Sequence, residues 1–172
     1  MTTLAEAKED TKLLEHLPRL EERPKFCWHS GYYDGPLSGV CLYNDKHHWF
    51  KMIYEFDYEG DEEWEPGEKE ILLGRIFVVA ELSDEQFAII KDRHDVWRNY
   101  IGRHCDYDED GKRPYMSDDD GKALIKYSWD KYNEAIATKP EFPELNNNKV
   151  VAWWGSKQFN FDACLLKQLE VK

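Results

Sequence analysis

Long apolar runs and paired cysteines are both missing from this sequence of 172 residues. The longest apolar stretch, around Ile76–Ala80, is far shorter than the roughly 20 residues that a membrane-spanning helix needs. The four cysteines (Cys27, Cys41, Cys105 and Cys164) form no Cys-x-x-Cys pair, and no apolar segment after Met1 resembles a secretory signal. We therefore expect free thiols in a reducing, cytoplasmic setting, and no contact with a membrane.

Positive charge is also scarce. The chain has 23 Lys and Arg against 35 Asp and Glu, which gives a net charge of −12. A protein of this charge repels a phosphate backbone, so we expect no nucleic-acid partner. The motifs Gly-x-Gly-x-x-Gly, Gly-x-x-x-x-Gly-Lys, His-Glu-x-x-His and Gly-x-Ser-x-Gly are absent as well. Nucleotide enzymes, zincins and typical serine hydrolases are therefore unsupported.

Apolar and aromatic residues, by contrast, are plentiful. They make up 41% and 15% of the chain, enough for a core that needs no disulfides. Apolar spacing predicts a modest amphipathic helix over 3–17, with Pro18 and Pro24 at its exit. We expect an N-terminal helix and linker over 1–24, followed by one domain over 25–172.

A strand is predicted over Val40–Tyr43, and the run that follows, His48–Tyr58, alternates with period two, which is the clearest strand pattern in the chain. It predicts that Phe50, Met52, Tyr54 and Phe56 share one buried face with His48. Asn44-Asp45 predicts a hairpin loop before this strand. Further strands are predicted at 25–29, at 71–82 with a bulge or bend at Gly74, at 150–154, and as a returning strand through Phe159, Phe161 and Ala163.

Two long helices are predicted between these strands. Ser83-Asp84-Glu85-Gln86 has the form of a capping box, and it precedes an apolar stripe formed by Phe87, Ile90, His94, Trp97 and Ile101. The second helix is predicted over Lys122–Ala137, after the Asp118-Asp119-Asp120 triplet. The expected fold class is α+β: a mainly antiparallel sheet packed against two long helices in a single domain.

A cysteine and two histidines are candidates for catalysis. If the hairpin loop has two residues, Cys41 and His48 share one face of the ribbon, where an imidazole could activate a thiol. A loop of three residues would separate them. His94, in the middle of a helical apolar stripe, is a candidate general base. The competing interpretation is a buried structural cysteine and a core histidine.

Two metal sites are also considered. Asp106, Asp108 and Asp110, followed by Gly111, resemble the first half of an EF-hand loop and predict a calcium site. The resemblance fails further on, because Pro114 lies within the loop and Ser117 stands where a bidentate Glu is required. A zinc site without finger-like spacing would draw on Cys27, His29, His47, His94, His104 and Cys105.

Two acidic segments, 55–70 and 106–120, are predicted to be solvated loops. Both contain aromatic residues, including Tyr107 and Tyr115 in the second. Negative potential steers a cationic partner, and aromatic residues supply the contacts that hold it. We expect an acidic, cytoplasmic binding or inhibitory protein, similar to an immunity protein or a mimic of nucleic-acid charge, that engages a basic protein surface. The predicted contact residues are Tyr58, Asp61, Glu62, Glu63, Trp64 and Glu65.

The alternative is a small enzyme with a Cys/His-containing cleft between the hairpin and the helix of His94. The sequence leaves the oligomeric state open.

Overall fold

The computed structural model describes residues 1–112 and 125–161. Five strands form one antiparallel sheet in the order β1-β2-β3-β4-β5, so each strand pairs with its neighbour in sequence. Their bounds are Lys25–Tyr32, Pro36–Tyr43, Lys46–Glu65, Glu68–Glu81 and Val150–Gly155. The helices are α1 (Leu4–Glu9), a 3₁₀ segment (Thr11–His16), α2 (Asp84–Tyr100) and α3 (Trp129–Ile136). The predicted α+β class with an antiparallel sheet is confirmed.

The N-terminal segment is two short helices, where the sequence predicts one. Asp10 has an extended backbone (φ −138°) that ends α1, and its carboxylate caps the 3₁₀ segment by accepting from the N–H of Lys12. Leu4, Ala7 and Leu14 are buried in the same core cluster as Trp28 and the central strands. This segment therefore contributes to the main core.

The loop between β2 and β3 has two residues. Asn44 and Asp45 have φ values of 51° and 59°, the left-handed conformation that a type I′ turn requires. The register that follows pairs Tyr43 with Lys46 and Cys41 with His48. The predicted hairpin is confirmed.

A β-bulge at Ile53 changes which side chains share a face of β3. Met52 pairs with Phe77 and Tyr54 pairs with Ile76, so two steps along β3 match one step along β4. Phe50 consequently packs in one core cluster, whereas Tyr54 and Phe56 pack against the cluster on the opposite face. The prediction of one continuous face through Phe50 and Phe56 is wrong.

The acidic segment after Tyr58 is a strand pair. β3 continues to Glu65, the chain turns at Pro66-Gly67, and β4 begins at Glu68. Gly67, with φ 86°, makes the turn. The predicted acidic loop over 55–70 is therefore wrong. Gly74 also differs from the prediction: it pairs with Phe56 without a bulge, and the phenyl ring covers it so closely that an added Cβ would lie 2.4 Å from a ring carbon.

Helix α2 begins as the sequence predicts. The Ser83 hydroxyl accepts from the N–H of Gln86 at 3.1 Å, and the Gln86 side chain accepts from the N–H of Ser83 at 3.0 Å. The prediction of two long helices is only partly confirmed, because α3 has eight residues and residues 125–128 before it are not helical. Residues 122–124, also part of that prediction, lie outside the described residues.

Both faces of the sheet are covered by apolar clusters. One face carries Trp28, Val40, Trp49, Ile76, Val78 and Trp153, with α1, the 3₁₀ segment and α2 packed over it. The other carries Phe26, Cys41, Phe50, Val79, Ala152 and Trp154. Phe159 and Phe161 pack on the first cluster, but residues 157–160 are not a strand, so the predicted returning strand is absent there; Ala163 lies outside the described part.

No helix among the described residues is both long enough and apolar enough to span a bilayer.

Candidate functional site

A two-stranded arm, residues 55–74, continues past the rest of the sheet. The pairing of β2 with β3 ends at Lys51, and the pairing of β5 with β4 covers only Ile76–Ala80. Within the described residues, β3 and β4 beyond these points pair only with each other. Both edges of the arm are therefore free of a third strand.

The arm carries most of the excess negative charge. Nine carboxylates against one lysine, Lys69, leave it with a net charge of −8, compared with −12 for the whole chain. At its end, Asp61, Glu62, Glu63 and Glu65 are exposed, and Trp64 between them is 78% exposed. Five of the six residues predicted to contact a partner thus lie together.

The two faces of the arm differ. On one, Tyr54, Phe56 and Tyr58 form a row with ring centroids 6.0 Å apart at each step, and Phe159 packs against Tyr54 and Phe56. Tyr58, the sixth predicted contact residue, is therefore half-buried in this row. The opposite face exposes Ile71 and Leu73, which are paired with Glu59 and Asp57.

Arg75 holds the base of the arm. Its Nε donates to Glu55 at 2.9 Å, and its terminal nitrogens donate to the carbonyls of Tyr33 and Asp34 at 3.0 and 3.1 Å. Since Tyr33 and Asp34 lie in the β1–β2 turn, one guanidinium ties this turn to both strands of the arm. The arm's direction relative to the sheet is thereby fixed at its root.

Cys41 and His48 lie directly opposite each other on β2 and β3. Cys41 is completely buried, and burial raises the pKa of its thiol well above the usual range, which opposes thiolate formation. His48 bonds through Nδ1 to the carbonyl of Lys46 at 3.0 Å. Cys41 belongs to the face of the sheet opposite α2, so the structure does not bring this pair into one cleft with His94.

His94 is bonded to Asp106. Residues 105–107 run beside β1, with Tyr107 N–H donating to the carbonyl of Cys27, and this places the Asp106 carboxylate 2.7 Å from His94 Nε2. Arg98, one turn further along α2, donates from Nε to the same oxygen, Oδ1, at 3.2 Å, and its Nε lies 2.9 Å from Oδ2 in an ion pair. The indole of Trp28 stacks on the imidazole at 4.5 Å. His94 and Arg98 of α2, Asp106 of the following loop and Trp28 of β1 thus form one cluster, which we call the His94 cluster.

The directions of the pKa shifts in this cluster favour one protonation state at neutral pH. Burial lowers the pKa of His94, although Asp106 opposes this shift. Burial alone would raise the pKa of Asp106, but the His94 hydrogen bond and the charges of His94 and Arg98 lower it overall. Asp106 is therefore ionised and can only accept, so the proton of neutral His94 is on Nε2 and the lone pair is on Nδ1.

A cavity of about 220 Å³ lies beside His94, between α2, α3 and β1. Its polar lining comprises His29, Ser30, Arg93, His94 and Cys105, and Ile90, Trp97, Tyr132 and Phe142 complete the wall. The buried indole N–H of Trp97 has no hydrogen-bond partner in the described part of the chain. His94 and Cys105 therefore line this cavity together, whereas Cys41 and His48 do not line it.

The three residues of the predicted calcium loop do not converge. Asp106 binds His94 and Arg98, while Asp108 Oδ1 accepts from the backbone N–H groups of Asp110 and Lys112 at 2.9 and 2.8 Å. Residues 1–112 and 125–161 contain no group of three or more His, Cys, Asp or Glu that could hold a metal ion, which applies to the zinc set as well. Pro114, Tyr115, Ser117 and Asp118-Asp119-Asp120 lie outside the described residues.

Fold and surface together define an α+β protein whose antiparallel sheet extends into an acidic hairpin. Comparison of the chain with protein-family models, with curated proteins and with solved structures gave no match.

Proposed function

We propose that this chain is a cytoplasmic binding protein, of inhibitory or immunity-like type, whose arm engages a basic surface on another protein. The observation that carries the proposal is the concentration of nine carboxylates and the exposed Trp64 on a strand pair that has no other strand beside it among residues 1–112 and 125–161. Neither nucleic acid nor a membrane is the proposed partner, since both carry the same charge sign as the arm.

The two components of the arm have separate roles. Carboxylates raise the rate of encounter with a cationic surface, and this effect weakens as salt screens the charges. Trp64 supplies apolar contact area with only two side-chain torsions to fix, as aromatic anchors do at the centres of interfaces. Arg75 supports binding indirectly, because it orients the arm before the partner arrives.

Charge reversal at the end of the arm tests the proposal. The triple variant Glu62→Lys, Glu63→Lys, Glu65→Lys should weaken binding of an oligolysine peptide by about tenfold or more at low salt, because the net charge of the arm changes from −8 to −2. Isothermal titration calorimetry at two salt concentrations measures this effect. Trp64→Ala should weaken binding without changing its salt dependence.

A matched control separates location from total charge. Glu21, Glu22 and Glu134 are exposed and lie outside the arm, and their replacement by lysine gives the same net charge of −6, since each change adds two charges to −12. This control should bind the peptide nearly as well as the wild type. Equal losses in the two triple variants would reject the arm as the binding surface.

The cavity beside His94 supports a second candidate, an enzyme that uses the neutral imidazole as a general base. The supporting observation is the 2.7 Å bond from His94 Nε2 to Asp106, which leaves Nδ1 as the basic nitrogen. Asp106 would hold the ring in one orientation, as a carboxylate does beside a catalytic histidine. This candidate requires that His94 be neutral at the working pH.

The pH dependence of stability tests that requirement. The unfolded state takes up the His94 proton near pH 6.5, whereas the folded state takes it up only at lower pH because its pKa is lowered. Stability is therefore fully present above pH 6.5 and falls below it, by at most about 1.4 kcal/mol per pH unit. His94→Gln, whose amide can still donate to Asp106, should lack this loss in urea unfolding at pH 7.5 and 5.

Exposed His16 gives the control, since His16→Gln should keep the pH dependence of the wild type. His47, whose pKa is also lowered by burial, remains in all three proteins and cancels in the comparison. The opposite result would be a wild type that becomes more stable relative to His94→Gln as the pH is lowered. It would mean that the folded protein holds His94 protonated, so His94 could not act as a base at neutral pH.

A further inference from the structure

A groove of about 530 Å³ lies between α1, β3 and residues 141–146, away from the acidic arm. Lys8, in the last turn of α1, and Lys51, in the first half of β3, both line it. Phe142 borders this groove and also the cavity beside His94. The proposed binding function of the arm uses none of these residues.

The two lysine amines are close neighbours. Both side chains line the same groove, and the charge of Lys8 acts on Lys51. Within the described residues, neither amine has a carboxylate within 4.0 Å, whereas five other lysines and arginines form such pairs. Two ammonium groups that line one groove repel each other, so an anion placed between them would be stabilised by both charges.

Burial of Lys51 strengthens this inference. Burial is the largest cause that lowers the pKa of Lys51, and the neighbouring charge of Lys8 lowers it further. The negative charge of an anion between the two amines would act in the opposite direction and raise the pKa of Lys51. The anion would offset the repulsion and would supply hydrogen-bond acceptors to groups that lose water in the groove.

The rest of the groove limits the size and charge of a ligand. Phe142 is 44% exposed and packs edge-on against buried Trp49 at 5.4 Å, which leaves an accessible apolar surface beside the amines. Glu141 and Glu144 also line the groove, and Glu144 accepts from the N–H of Asn146 at 2.8 Å. These carboxylates repel a polyanion such as a nucleic acid, whereas one compact anionic head beside the lysines avoids them.

We propose that Lys8 and Lys51 bind the anionic head, a carboxylate or a phosphate, of a small organic molecule whose apolar part packs against Phe142. The lysines provide up to six N–H donors for one oxyanion. The aromatic wall selects ligands that carry an apolar group next to that head.

NMR titration of protein labelled at the lysine Cε carbons tests the proposal with two probes, sodium benzoate and inorganic phosphate, at constant ionic strength in chloride. At least one probe should give saturable shifts at Lys8 and Lys51 together and should raise the pH midpoint of Lys51. Saturation with benzoate identifies a carboxylate head, and saturation with phosphate identifies a phosphate head. Lack of saturation by either probe up to about 50 mM would overturn the proposal, because affinity would then be negligible.

Variants show whether the effect belongs to this groove. Lys8→Gln with Lys51→Gln should weaken binding by about tenfold or more, and Lys8→Gln alone, at an exposed helix end, gives the same test without disturbing β3. The control Lys131→Gln with Lys157→Gln removes the same charge from two exposed positions and should change affinity less than twofold. Equal loss in the control would overturn the proposal, since binding would then follow total charge.

Discussion

Asp106→Ala is expected to lower the free energy of unfolding by about 3 kcal/mol, at the low end of the range for breaking a buried ion pair. The change removes the acceptor of the hydrogen bonds from His94 at 2.7 Å and from Arg98 at 3.2 Å, and it leaves the buried His94 ring without this partner. The cost stays at the low end because Arg98 is 30% exposed and still has Asp95 as a partner. Urea unfolding followed by tryptophan fluorescence measures the loss.

Asp95→Ala provides the comparison for this variant. Asp95 bonds Lys91 and Arg98 on the exposed side of α2, where ion pairs contribute about 0–1 kcal/mol. Asp106→Asn, which keeps one acceptor oxygen, should fall between the two. A loss below about 1 kcal/mol in Asp106→Ala would show that the cluster does not join α2 to β1 as the geometry indicates.

Gly39→Ala is expected to destabilise the fold by about 3 kcal/mol or more, at or beyond the upper end of overpacking effects. Gly39 lies in β2 between His29 of β1 and Phe50 of β3. An added Cβ would lie 2.1 Å from the carbonyl oxygen of Trp28 and 2.7 Å from the Cα of His29. Since these are backbone atoms, β1 and β2 would have to separate, and the stack of Trp28 on His94 would shift with them.

Gly60→Ala is the matched control in the arm. Its added Cβ would meet the end of the Leu72 side chain at 3.0 Å, and that side chain can rotate away. We expect a loss below about 1 kcal/mol. Thermal unfolding of both variants distinguishes them, and similar losses would mean that β1 and β2 can separate at little cost.

Local signals in the sequence predict the local features of the fold. The Ser83–Gln86 capping box and the Asn44-Asp45 turn are confirmed because each depends on contacts within four residues. The placement of Cys41 opposite His48 follows from that turn alone, since a two-residue loop fixes the register. Neither signal states how deep a side chain lies, so the turn alone does not separate a reactive Cys41 from the buried cysteine that the structure has.

The acidic arm shows where composition misleads. Glu and Asp are unfavourable in strands on average, and Pro66-Gly67 suggests a break, so 55–70 is typical of a loop. In the structure the same Pro-Gly pair is the turn of a hairpin, and the aromatic row from Tyr54 to Tyr58 gives the strand one packed face. The bulge at Ile53, which moves that row to the other side of the sheet, leaves no pattern in the sequence.

The His94 cluster depends on distant contacts. His94 and Asp106 are 12 positions apart and meet only because residues 105–107 turn back along β1. An Asp-x-Asp-x-Asp series followed by Gly is compatible with two structures. One is a cation-binding loop, and the other is a turn that places one Asp against a helix. Only the folded neighbourhood of Asp106 separates these two interpretations.

The free edges of the arm also explain the distribution of its charge. An unpaired strand offers N–H and C=O groups to any other extended chain, which is a common route to aggregation. Glu65 and Glu68 face each other at the end of the arm, a like-charge pair that costs stability within the hairpin. A second copy of the arm aligned with either edge would meet the same carboxylates, so identical chains are discouraged from joining by edge-to-edge pairing. The edges of the arm can therefore remain exposed to a basic partner, while the carboxylates disfavour pairing with another acidic strand.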